Sequence, residues 1–555
     1  MVGFSEKLAK QESVKSTMKE KVMDIIKKVD VRAVLISMGI WIALNTSDIY
    51  DTAFYDNGKN VMGIKVLHLI VLYSFVRVAT YYVLNRNEKH IRHILLWGGI
   101  FGIVVSGIFF FVWPGTWSWD DVFIYTSALN YDLNSWQHFL SSIFHIISLQ
   151  SIPLAGGVIC VQILVAAILV GESVVRIAES LPVQGKNRLI TEFLLFLPTV
   201  SLPVITYLYS GFRMGIYCYF ELFYLACVYS AVKKHKKITF LNMVLLIFVT
   251  VIVASWRTEG IYYLLFLPVV LLIMRRRKQI SVIYAIAVFV LSVVFVSKIT
   301  YYNNSLIGDN DYSITATIVP LVATVSDENA EIREDELHDI GTVIDLDVIY
   351  QHSGYKAEEM FYMGLVKSGY SKDEYNKFMK AYAKIIVRNP AIAIKSMGNM
   401  FLQAAGVKIE NGRTLQRTVI TNTAGGALSL YDNTTAHSKA FLQMKIKGKY
   451  PLLGQEIREK AILCLSCTGK DGKVTPAYYI CWNLMIPLCL LFACLLFSIW
   501  RRKGVLCLVM VSIFVRFVIL FATSCAPYMM YYLSVYLLAY FWSIVSVVEH
   551  KVETL

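Results

Sequence analysis

Long apolar blocks recur along this chain, and they restrict its fold more than any other feature does. Each block holds about 20 residues, enough to cross a hydrocarbon core of roughly 30 Å as an α-helix. Lipid offers no partners for backbone N–H and C=O groups, so such blocks fold as helices. The blocks lie at about 31–47, 62–84, 93–113, 153–172, 189–208, 214–232, 238–255, 260–274, 280–298, 477–499, 504–524 and 527–547. The sequence therefore predicts an all-α polytopic membrane protein with about 12 transmembrane helices.

Composition and charge exclude two other classes of protein. The chain is 56% hydrophobic and only 17% charged, whereas soluble globular domains are less apolar. Its formal net charge of +14 would suit a nucleic-acid-binding protein if the charge formed one stripe with stacking aromatics. The basic residues instead form short clusters between the apolar blocks. The expected partner is therefore the lipid bilayer, and no nucleic acid.

The positions of the basic clusters predict the topology. Five short loops on one side carry 17 Lys and Arg residues, whereas five short connections on the other side carry three. Basic loops stay in the cytoplasm, so both termini are expected there. The insertion at 299–476 and the loop at 114–152 are then extracytoplasmic. Many Lys, Ile and Tyr residues, without a lipoprotein or outer-membrane signal, indicate a multi-pass protein of a bacterial cytoplasmic membrane.

Five regions follow from this topology. Residues 1–30 form either a basic amphipathic segment at anionic lipid on the cytoplasmic side or a frayed tail. Residues 31–92 form a transmembrane hairpin, 93–298 a transmembrane module, and 477–555 the last transmembrane helices with a short cytoplasmic tail. The extracytoplasmic domain at 299–476 is expected to be mainly helical, because KDEYNKFMKAYAKIIVRNP has helical periodicity and then a proline stop.

The ten cysteines carry little functional signal. Most lie inside apolar blocks, where cysteine behaves as a small hydrophobic residue. Cys464 and Cys467 form a CxxC without a second pair of metal ligands, so zinc is not expected. Two helical cysteines and a strained local disulfide both remain open as interpretations of this pair.

Two adjacent acids stand out in the first long outer loop. The stretch WPGTWSWDDVF puts Asp120 and Asp121 directly after an apolar block, among aromatic residues. The following SWQHFLSSIFHIISLQ puts apolar side chains on one helical face and polar ones, including His138, on another. This pattern predicts an interfacial helix lying in the membrane plane.

Two interpretations of the acids remain open. Acids commonly begin helices, so the pair could simply cap a solvated turn. Alternatively, Asp120 or Asp121 accepts a proton from a sugar hydroxyl as general base. The other carboxylate then holds it in place or binds a divalent ion such as Mg²⁺ or Mn²⁺ through oxygen.

A second polar group follows from SWRTEGIYYL, which puts Arg257 and Glu259 at a tight turn between two predicted spans. Arg257 either binds a phosphate or extends to lipid headgroups. Arg213, Glu221 and Arg516 lie at or within apolar blocks, where charges need partners. Arg213 or Arg257 is expected to pair with Glu221, and Arg516 either joins two helices or reaches a lipid phosphate.

These two motifs resemble segments of the GT-C superfamily, the integral-membrane glycosyltransferases that use polyprenyl-phosphate-linked sugars. Relatives in that superfamily include protein O-mannosyltransferases and the aminoarabinose transferases of lipid A. Asp120 and Asp121 match the catalytic acid of an extracytoplasmic loop in that family, and RTEG resembles its Arg-x-x-Gly turn. The resemblance implies a GT-C-like transmembrane module at 93–298 with its catalytic loop at 114–152.

Two further matches are partial. His138 resembles the histidine of a Trp-His-Pro pattern in some members, with Phe139 in place of proline. The last outer turn, SCAPYMMYYL, contains Tyr528 and resembles a "P…RY" ending, with Met530 in place of arginine.

The resemblance implies transfer of a sugar from a polyprenyl-phosphate donor, with inversion, to a cell-surface glycan, lipid or protein acceptor. Asp120 or Asp121 is then the general base, and Arg257, with Mg²⁺ or Mn²⁺ at the two aspartates, offsets charge on the leaving phosphate. The expected substrate- and phosphate-binding residues are Arg257, Glu259, His138, Arg213, Glu221 and Tyr528.

One departure from the family leaves the catalytic loop open. The acid loop follows the third predicted span here, whereas it normally follows the first. The loop at 45–61 follows the first span and carries Asp48, Asp51 and Asp56. It therefore stays an alternative, although its acids lack the aromatic turn and the interfacial helix.

Two other functions also remain open. An O-antigen-type polysaccharide polymerase or ligase combines many spans with one large outer loop, and its chemistry depends on Arg and His rather than on an Asp pair. A transporter or flippase usually shows internal repeats and broken helices near the membrane midplane. The sequence contains no recognisable repeat, and its polar residues concentrate at the outer ends of the spans.

Overall fold

A computed structural model of the chain describes residues 31–46, 61–84, 86–117, 119–135, 137–234, 237–306, 314–352, 360, 363–409 and 452–553. The predicted basic segment at 1–30 lies outside the described residues. So do Asp48, Asp51 and Asp56 of the alternative catalytic loop.

The described residues form helices and turns, with two isolated β-bridges and no β-strand among them. In chain order the helices are α1 (Val31–Asn45), α2 (Val61–Leu84), α3 (Glu88–Val112), α4 (Trp119–Leu129), α5 (Phe139–Ser151), α6 (Ala155–Ala178), α7 (Gly185–Phe196), α8 (Leu202–Leu208), α9 (Arg213–Lys233), α10 (Phe240–Ser255), α11 (Tyr262–Arg276), α12 (Val282–Ser305), α13 (Thr315–Val325), α14 (Glu334–Gly341), α15 (Leu346–Gln351), α16 (Lys372–Arg388), α17 (Pro390–Ala404), α18 (Gln455–Ser466), α19 (Tyr478–Cys481), α20 (Met485–Trp500), α21 (Gly504–Thr523) and α22 (Met529–Glu553). Short 3₁₀ turns precede α8 and α11.

Nine helical segments of the described chain are long and apolar enough to cross a membrane. They are α2, α3, α6, α9, α11 with its preceding 3₁₀ turn, α12, α19 with α20, α21 and α22. The prediction of a polytopic, all-helical membrane protein is therefore confirmed. The count of about 12 spans stays a prediction.

Three of the predicted blocks do not form a single long helix. The block at 189–208 is bent by 58° between α7 and α8, because Pro198 and Pro203 lack the N–H that a continuous helix needs. If the bent pair crosses the membrane as one unit, it adds a tenth span. The blocks at 31–47 and 238–255 coincide with α1 and α10, which are shorter than the roughly 20 residues a span normally needs.

Helix α9 forms the centre of the bundle. Its sequence, RMGIYCYFELFYLACVYSAVK, is apolar on every side, which is typical of a helix that other helices surround. It packs against α6, α10, α11, α21 and α22. Its first residue lies at the end of the bundle where α12 leads into the insertion, and we call this the insertion end.

Charged side chains at the opposite end of the bundle are matched by partners. Glu192 of α7 is fully buried and accepts hydrogen bonds from Arg188 Nε at 2.8 Å and Trp97 Nε1 at 2.9 Å. Its other contact is His93 Nδ1 at 2.7 Å. Helices α3 and α7 are thereby joined by a network in which the buried carboxylate has several donors, as charges in a membrane require.

The insertion at 299–476 has its own hydrophobic core, built by α13 to α16. The predicted helix in this region is α16, which begins with a capping box between Ser371 and Glu374 and ends directly before Asn389 and Pro390. Arg388 at its end makes a bidentate ion pair with Glu336 of α14, with N–O distances of 2.7 and 2.8 Å. The core and this pair join α14 to α16.

The Glu336–Arg388 pair predicts a pH-dependent stability for the insertion. The hydrogen bonds from Arg388 lower the pKa of Glu336 below its ordinary value. The pair therefore stabilises the fold above about pH 4.3, the ordinary value for Glu, and the stabilisation disappears as the pH falls through the lowered pKa. Arg388→Gln should increase hydrogen exchange of α14 and α16 at pH 7, and its difference from wild type should vanish in acid.

Hydrogen exchange with mass spectrometry, corrected for intrinsic rates, measures this effect in the full-length protein. Lys380→Gln is the matched control, because it removes one charge from an exposed position of the same helix. Equal protection of wild type and Arg388→Gln at pH 7 would contradict the stabilising role of the pair.

Candidate functional site

The two adjacent aspartates begin α4 but have different surroundings. Asp121 is fully buried, and its Oδ2 accepts hydrogen bonds from the Ser210 hydroxyl and from Gly211 N, the latter at 3.0 Å. Asp120 is only partly buried. Both acids lie in the first helical turn, where the helix dipole favours negative charge. Asp121 therefore attaches this part of the chain to the segment that leads into α9. We call Gly115 and Thr116, together with the two aspartates, the acid turn.

The turn before the acids is held from two sides. Gly115 has a φ of +120°, and a Cβ at this position would lie 2.5 Å from the carbonyl oxygen of Tyr209, so no other residue fits without a shift. Thr116 N donates to the same carbonyl at 2.7 Å. From the insertion, the buried Arg458 of α18 donates from Nη2 to Gly115 O at 2.8 Å. The acid turn is thus fixed between α8 and the insertion.

The predicted amphipathic helix is present as α5, and its polar face points into the protein. Ser141 Oγ accepts a hydrogen bond from Trp256 Nε1 at 2.9 Å. His145 Nε2 donates to the carbonyl of Gly211 at 3.0 Å. On the apolar face, Phe139 is buried, whereas Leu140, Ile143, Phe144 and Ile147 are only partly buried. The polar residues of α5 therefore hydrogen-bond to the segments around Gly211 and Trp256 instead of facing water. Trp136, which was predicted on the apolar face, lies outside the described residues.

Helices α9 and α21 and the 3₁₀ turn before α11 contribute to a buried group of charges at the insertion end. Arg516 of α21 lies between Glu221 of α9 and Glu259, with Nε–Oε1 and Nη2–Oε1 distances of 3.3 and 3.7 Å. Glu259 also pairs with Arg257. All four side chains are less than 10% exposed. The expectation that Arg213 or Arg257 pairs with Glu221 is corrected here, because the partner of Glu221 is Arg516.

Several polar atoms of this group have no hydrogen-bond partner among the described residues. They include Nε and Nη1 of Arg257, Nη1 of Arg516 and both carboxylate oxygens of Glu221. Buried polar atoms in folded proteins normally have partners, so each exception needs an explanation. The N–H groups on Nε and Nη1 of Arg257 are therefore not accepted by any described residue.

Arg213 adds a further positive charge beside Arg257. Its Nη1 donates to the carbonyl of Trp256 at 2.8 Å, and its guanidinium group interacts electrostatically with Arg257 and Glu259. No carboxylate of the described chain lies within ion-pair distance of Arg213. With Arg516, Glu221 and Glu259 included, the group holds three guanidinium ions and two carboxylates, a net charge of +1. We call these five residues the arginine cluster.

Backbone geometry explains why the Arg-x-x-Gly turn needs its glycine. A Cβ at Gly260 would lie 2.0 Å from the carbonyl oxygen of Val253 and 2.8 Å from the Tyr217 hydroxyl. Tyr217 also donates to Val253 O at 2.6 Å. The turn can therefore pack tightly on α9 and α10, which brings Arg257 and Glu259 to the first turns of α9.

His138 and Tyr528 border the cluster in different ways. Burial, and then the nearby Arg213 guanidinium, lower the pKa of His138 to about 3, so its imidazole is neutral at physiological pH. Its Nδ1 accepts a hydrogen bond from Leu140 N at 3.3 Å and caps α5. Tyr528 is partly buried and stacks on Tyr531 with ring centroids 6.5 Å apart. Tyr531 in turn interacts electrostatically with Arg213.

The described residues do not fit the predicted Mg²⁺ or Mn²⁺ ion well. They contain no group of three or more His, Cys, Asp and Glu side chains arranged to hold a metal. One oxygen of Asp121 already accepts hydrogen bonds from Ser210 and Gly211. The metal at Asp120 and Asp121 stays a prediction, and no chemical step below depends on it.

Sequence reasoning found Arg257, Glu259 and Glu221 but missed other parts of the site. Arg458 gave no signal, because it lies in the amphipathic helix QEIREKAILCLS among other charged residues. The contribution of Ser210 and Gly211 depends on a contact with α4 from about 90 residues earlier in the chain. Contacts between residues so far apart leave no recognisable pattern in the local sequence.

Comparison with known proteins adds one similarity. Residues 156–401 match the model of a family of unknown function, DUF6020, and this segment is less than half of the chain. It contains Arg213, Glu221, Arg257 and Glu259 but neither the acid turn nor Arg516. No curated protein and no solved structure gives a significant match. The description of that family assigns no activity, so the function has to be argued from the site.

The arginine cluster predicts a strong and non-additive effect on stability. Glu221→Gln or Arg516→Gln alone leaves one buried charge without its partner, which costs about 3–5 kcal/mol. The double variant removes both charges and should cost clearly less than the sum of the single variants. Unfolding of the purified protein in mixed micelles measures the free energies. Glu88→Gln is the control, since it breaks an exposed pair with Arg92; additive effects at Glu221 and Arg516 would contradict direct coupling.

Proposed function

We propose that this protein is a membrane glycosyltransferase that transfers a sugar from a polyprenyl-phosphate donor to an acceptor outside the cytoplasmic membrane. The acceptor class is a cell-surface glycan, lipid or protein. The observation that carries the proposal is the arginine cluster, which lies at the same end of the bundle as the acid turn. It is buried and net positive, and some of its guanidinium N–H donors have no partner among the described residues. A donor with a lipid tail and a phosphate head suits this position.

Arg257 would hold the donor phosphate. Its Nε and Nη1 are buried and lack partners among the described residues, and guanidinium-to-phosphate hydrogen bonds are among the strong ones. Arg213 begins α9, whose N-terminus has no side-chain cap. The positive end of that helix dipole therefore also favours an anion there. Donors fixed in a dry environment stabilise charge on the leaving phosphate in the transition state.

The two aspartates would have different roles. Asp120 is partly accessible and would remove the proton from the acceptor hydroxyl as general base. The hydroxyl oxygen then attacks the anomeric carbon, the bond from that carbon to the phosphate oxygen breaks, and the phosphate leaves with the electron pair. In-line attack inverts the anomeric centre. Asp121, which already accepts bonds from Ser210 and Gly211, would position the acid turn against the segment that carries Arg213.

The predicted topology agrees with a lipid-linked donor. The positive-inside pattern puts the insertion end outside the membrane of a bacterium, with both termini in the cytoplasm. Nucleotide sugars are cytoplasmic, so an enzyme working outside takes its sugar from a lipid carrier that has crossed the bilayer. The insertion, which contacts the acid turn through Arg458, would cover the site on this side.

Substitution of single charges in the native host tests the proposal. Asp120→Asn and Arg257→Gln should each remove one sugar from the surface glycans, because loss of a general base typically costs a factor of about 10² to 10⁴ in rate. Mass spectrometry compares surface-glycan composition with wild type and with a deletion strain, at equal protein levels. Asp132→Asn is the matched control, since it makes the same change at an exposed position just after α4 and should keep the sugar.

Other outcomes identify other functions. If the deletion strain loses a sugar but Asp120→Asn and a further variant, Asp121→Asn, both keep it, the base lies elsewhere, and Asp48, Asp51 and Asp56 are the next positions. Loss with Arg257 or His138 variants but not with the aspartates would favour a polysaccharide polymerase or ligase. A deletion strain with unchanged glycans, under conditions in which the protein is made, would contradict the glycosyltransferase and favour a transporter.

A further inference from the structure

Three cysteines lie where the insertion returns to the membrane-spanning bundle. Cys464 is an exposed residue of α18, Cys467 is the buried residue directly after that helix, and Cys481 is the partly buried last residue of α19. All three are thiols in this structure. Helix α18 belongs to the insertion, whereas α19 begins a segment long and apolar enough to span the membrane. A covalent bond between the ends of these helices would therefore join the insertion to the bundle.

A tight hairpin brings the chain after α18 back to the end of that helix. Thr468 and Val474 form an isolated antiparallel bridge. The backbone N–H and the hydroxyl of Thr475 both donate to the carbonyl oxygen of Cys467, each at 2.9 Å. Tyr478 N, at the start of α19, donates to Thr475 O at 2.9 Å. The segment that leads into α19 is therefore held against Cys467.

The far end of α19 also contacts the end of α18. Trp482, the residue after Cys481, is almost completely buried, and its Nε1 donates to the carbonyl oxygen of Leu465 at 3.0 Å. The thiol groups of Cys467 and Cys481 are in hydrogen-bonding contact with each other. A disulfide forms without backbone movement only between cysteines whose side chains already point at each other, as these two do.

The surroundings of Cys464 distinguish this pair from two other arrangements. Cys464 is exposed, whereas Cys467 is buried, and the Cys467 thiol donates to the carbonyl oxygen of Cys464 at 3.7 Å. Among the described residues, no three His, Cys, Asp or Glu side chains are arranged to hold a metal. The contacts therefore favour the pair of Cys467 and Cys481 over a bond within the CxxC and over a metal site.

We propose that Cys467 and Cys481 form a disulfide that fixes α18 against the bundle. On the predicted topology both residues lie outside the cytoplasm, where disulfides persist. The oxidant is the disulfide of a thiol-oxidising protein or small molecule. The two thiols lose two electrons and two protons, one S–S bond forms between them, and the disulfide of the oxidant is reduced to two thiols.

This disulfide acts on the acid turn through α18. Arg458 of that helix donates to Gly115 O at 2.8 Å. The carbonyl oxygen of Cys481 accepts a hydrogen bond from the Tyr536 hydroxyl of α22 at 2.7 Å. The bond thus joins the helix that holds the acid turn to a segment fixed on α22. Only an effect on catalysis rests on the proposed function, since the disulfide itself is detected without any activity.

Disulfide mapping of the wild-type protein tests the proposal. Membranes of the native host are denatured in SDS with N-ethylmaleimide, which blocks every free thiol, buried ones included. The purified full-length chain is then digested with trypsin and chymotrypsin without reductant, and cleavage after Leu465 separates Cys464 from Cys467. Mass spectrometry should find Cys467 linked to Cys481 in most molecules, and reduction should remove the linked peptide.

Cys464→Ser is the matched control and should keep the linked peptide, because that thiol is not part of the pair. The double variant Cys467→Ser/Cys481→Ser should lose the link. Its hydrogen-exchange protection of α18 should fall by roughly 30-fold or more, the effect that a disulfide typically has when it closes a short loop.

Three results would overturn the proposal. The first is free thiols at both positions in the wild-type protein. The second is a link from Cys467 to Cys464 or to a second copy of the chain. The third is equal protection of α18 in the double variant and in Cys464→Ser, which would contradict the stabilising role of the bond.

Discussion

The ion pair between Arg516 and Glu221 is the interaction on which the geometry of the candidate site depends. Both side chains lie within apolar helices and are almost completely buried, where an unpaired charge is costly. Pairing fixes α21 against α9, because neither charge can leave the other without that cost. Arg516 also reaches Glu259, which in turn holds Arg257. The orientation of the Arg257 guanidinium group therefore depends, through Glu259, on the ion pair between Arg516 and Glu221.

The excess of positive charge distinguishes this cluster from the other buried charges of the bundle. At the opposite end, Glu192 has three donors, and Glu172 pairs with Arg176 at 2.8 Å. Those charges are matched and need no ligand. The arginine cluster, with three guanidinium ions and two carboxylates, is not matched by the described residues. If these charges only stabilised the fold, equal numbers of positive and negative charges would be favoured. The excess of one positive charge in the arginine cluster therefore argues for an anionic ligand.

Local patterns predicted much of the fold but little of the site. Apolar block length located the spans, and the sequence SKDE…RNP predicted α16 with its end at Asn389, because capping and proline act within a few residues. The bend between α7 and α8 was also predictable, since Pro198 and Pro203 interrupt that block. The pairing of Glu221 with Arg516 was not, because 295 residues separate them in the chain. The same holds for Arg458 and Gly115, whose contact depends on how the insertion packs back onto the bundle.

The different surroundings of Asp120 and Asp121 follow from helix geometry. Successive residues on an α-helix are rotated by about 100° from one another, so neighbours do not face the same space. One acid of an adjacent pair can then be buried while the other stays accessible, as found here. The same rotation makes two neighbouring carboxylates a poor clamp for one metal ion. The donors Ser210 and Gly211 N hold Oδ2 of Asp121 and so attach this acid to the segment before α9. The different surroundings of the two acids therefore fit the proposed division of roles, in which Asp121 fixes the turn and Asp120 is the base.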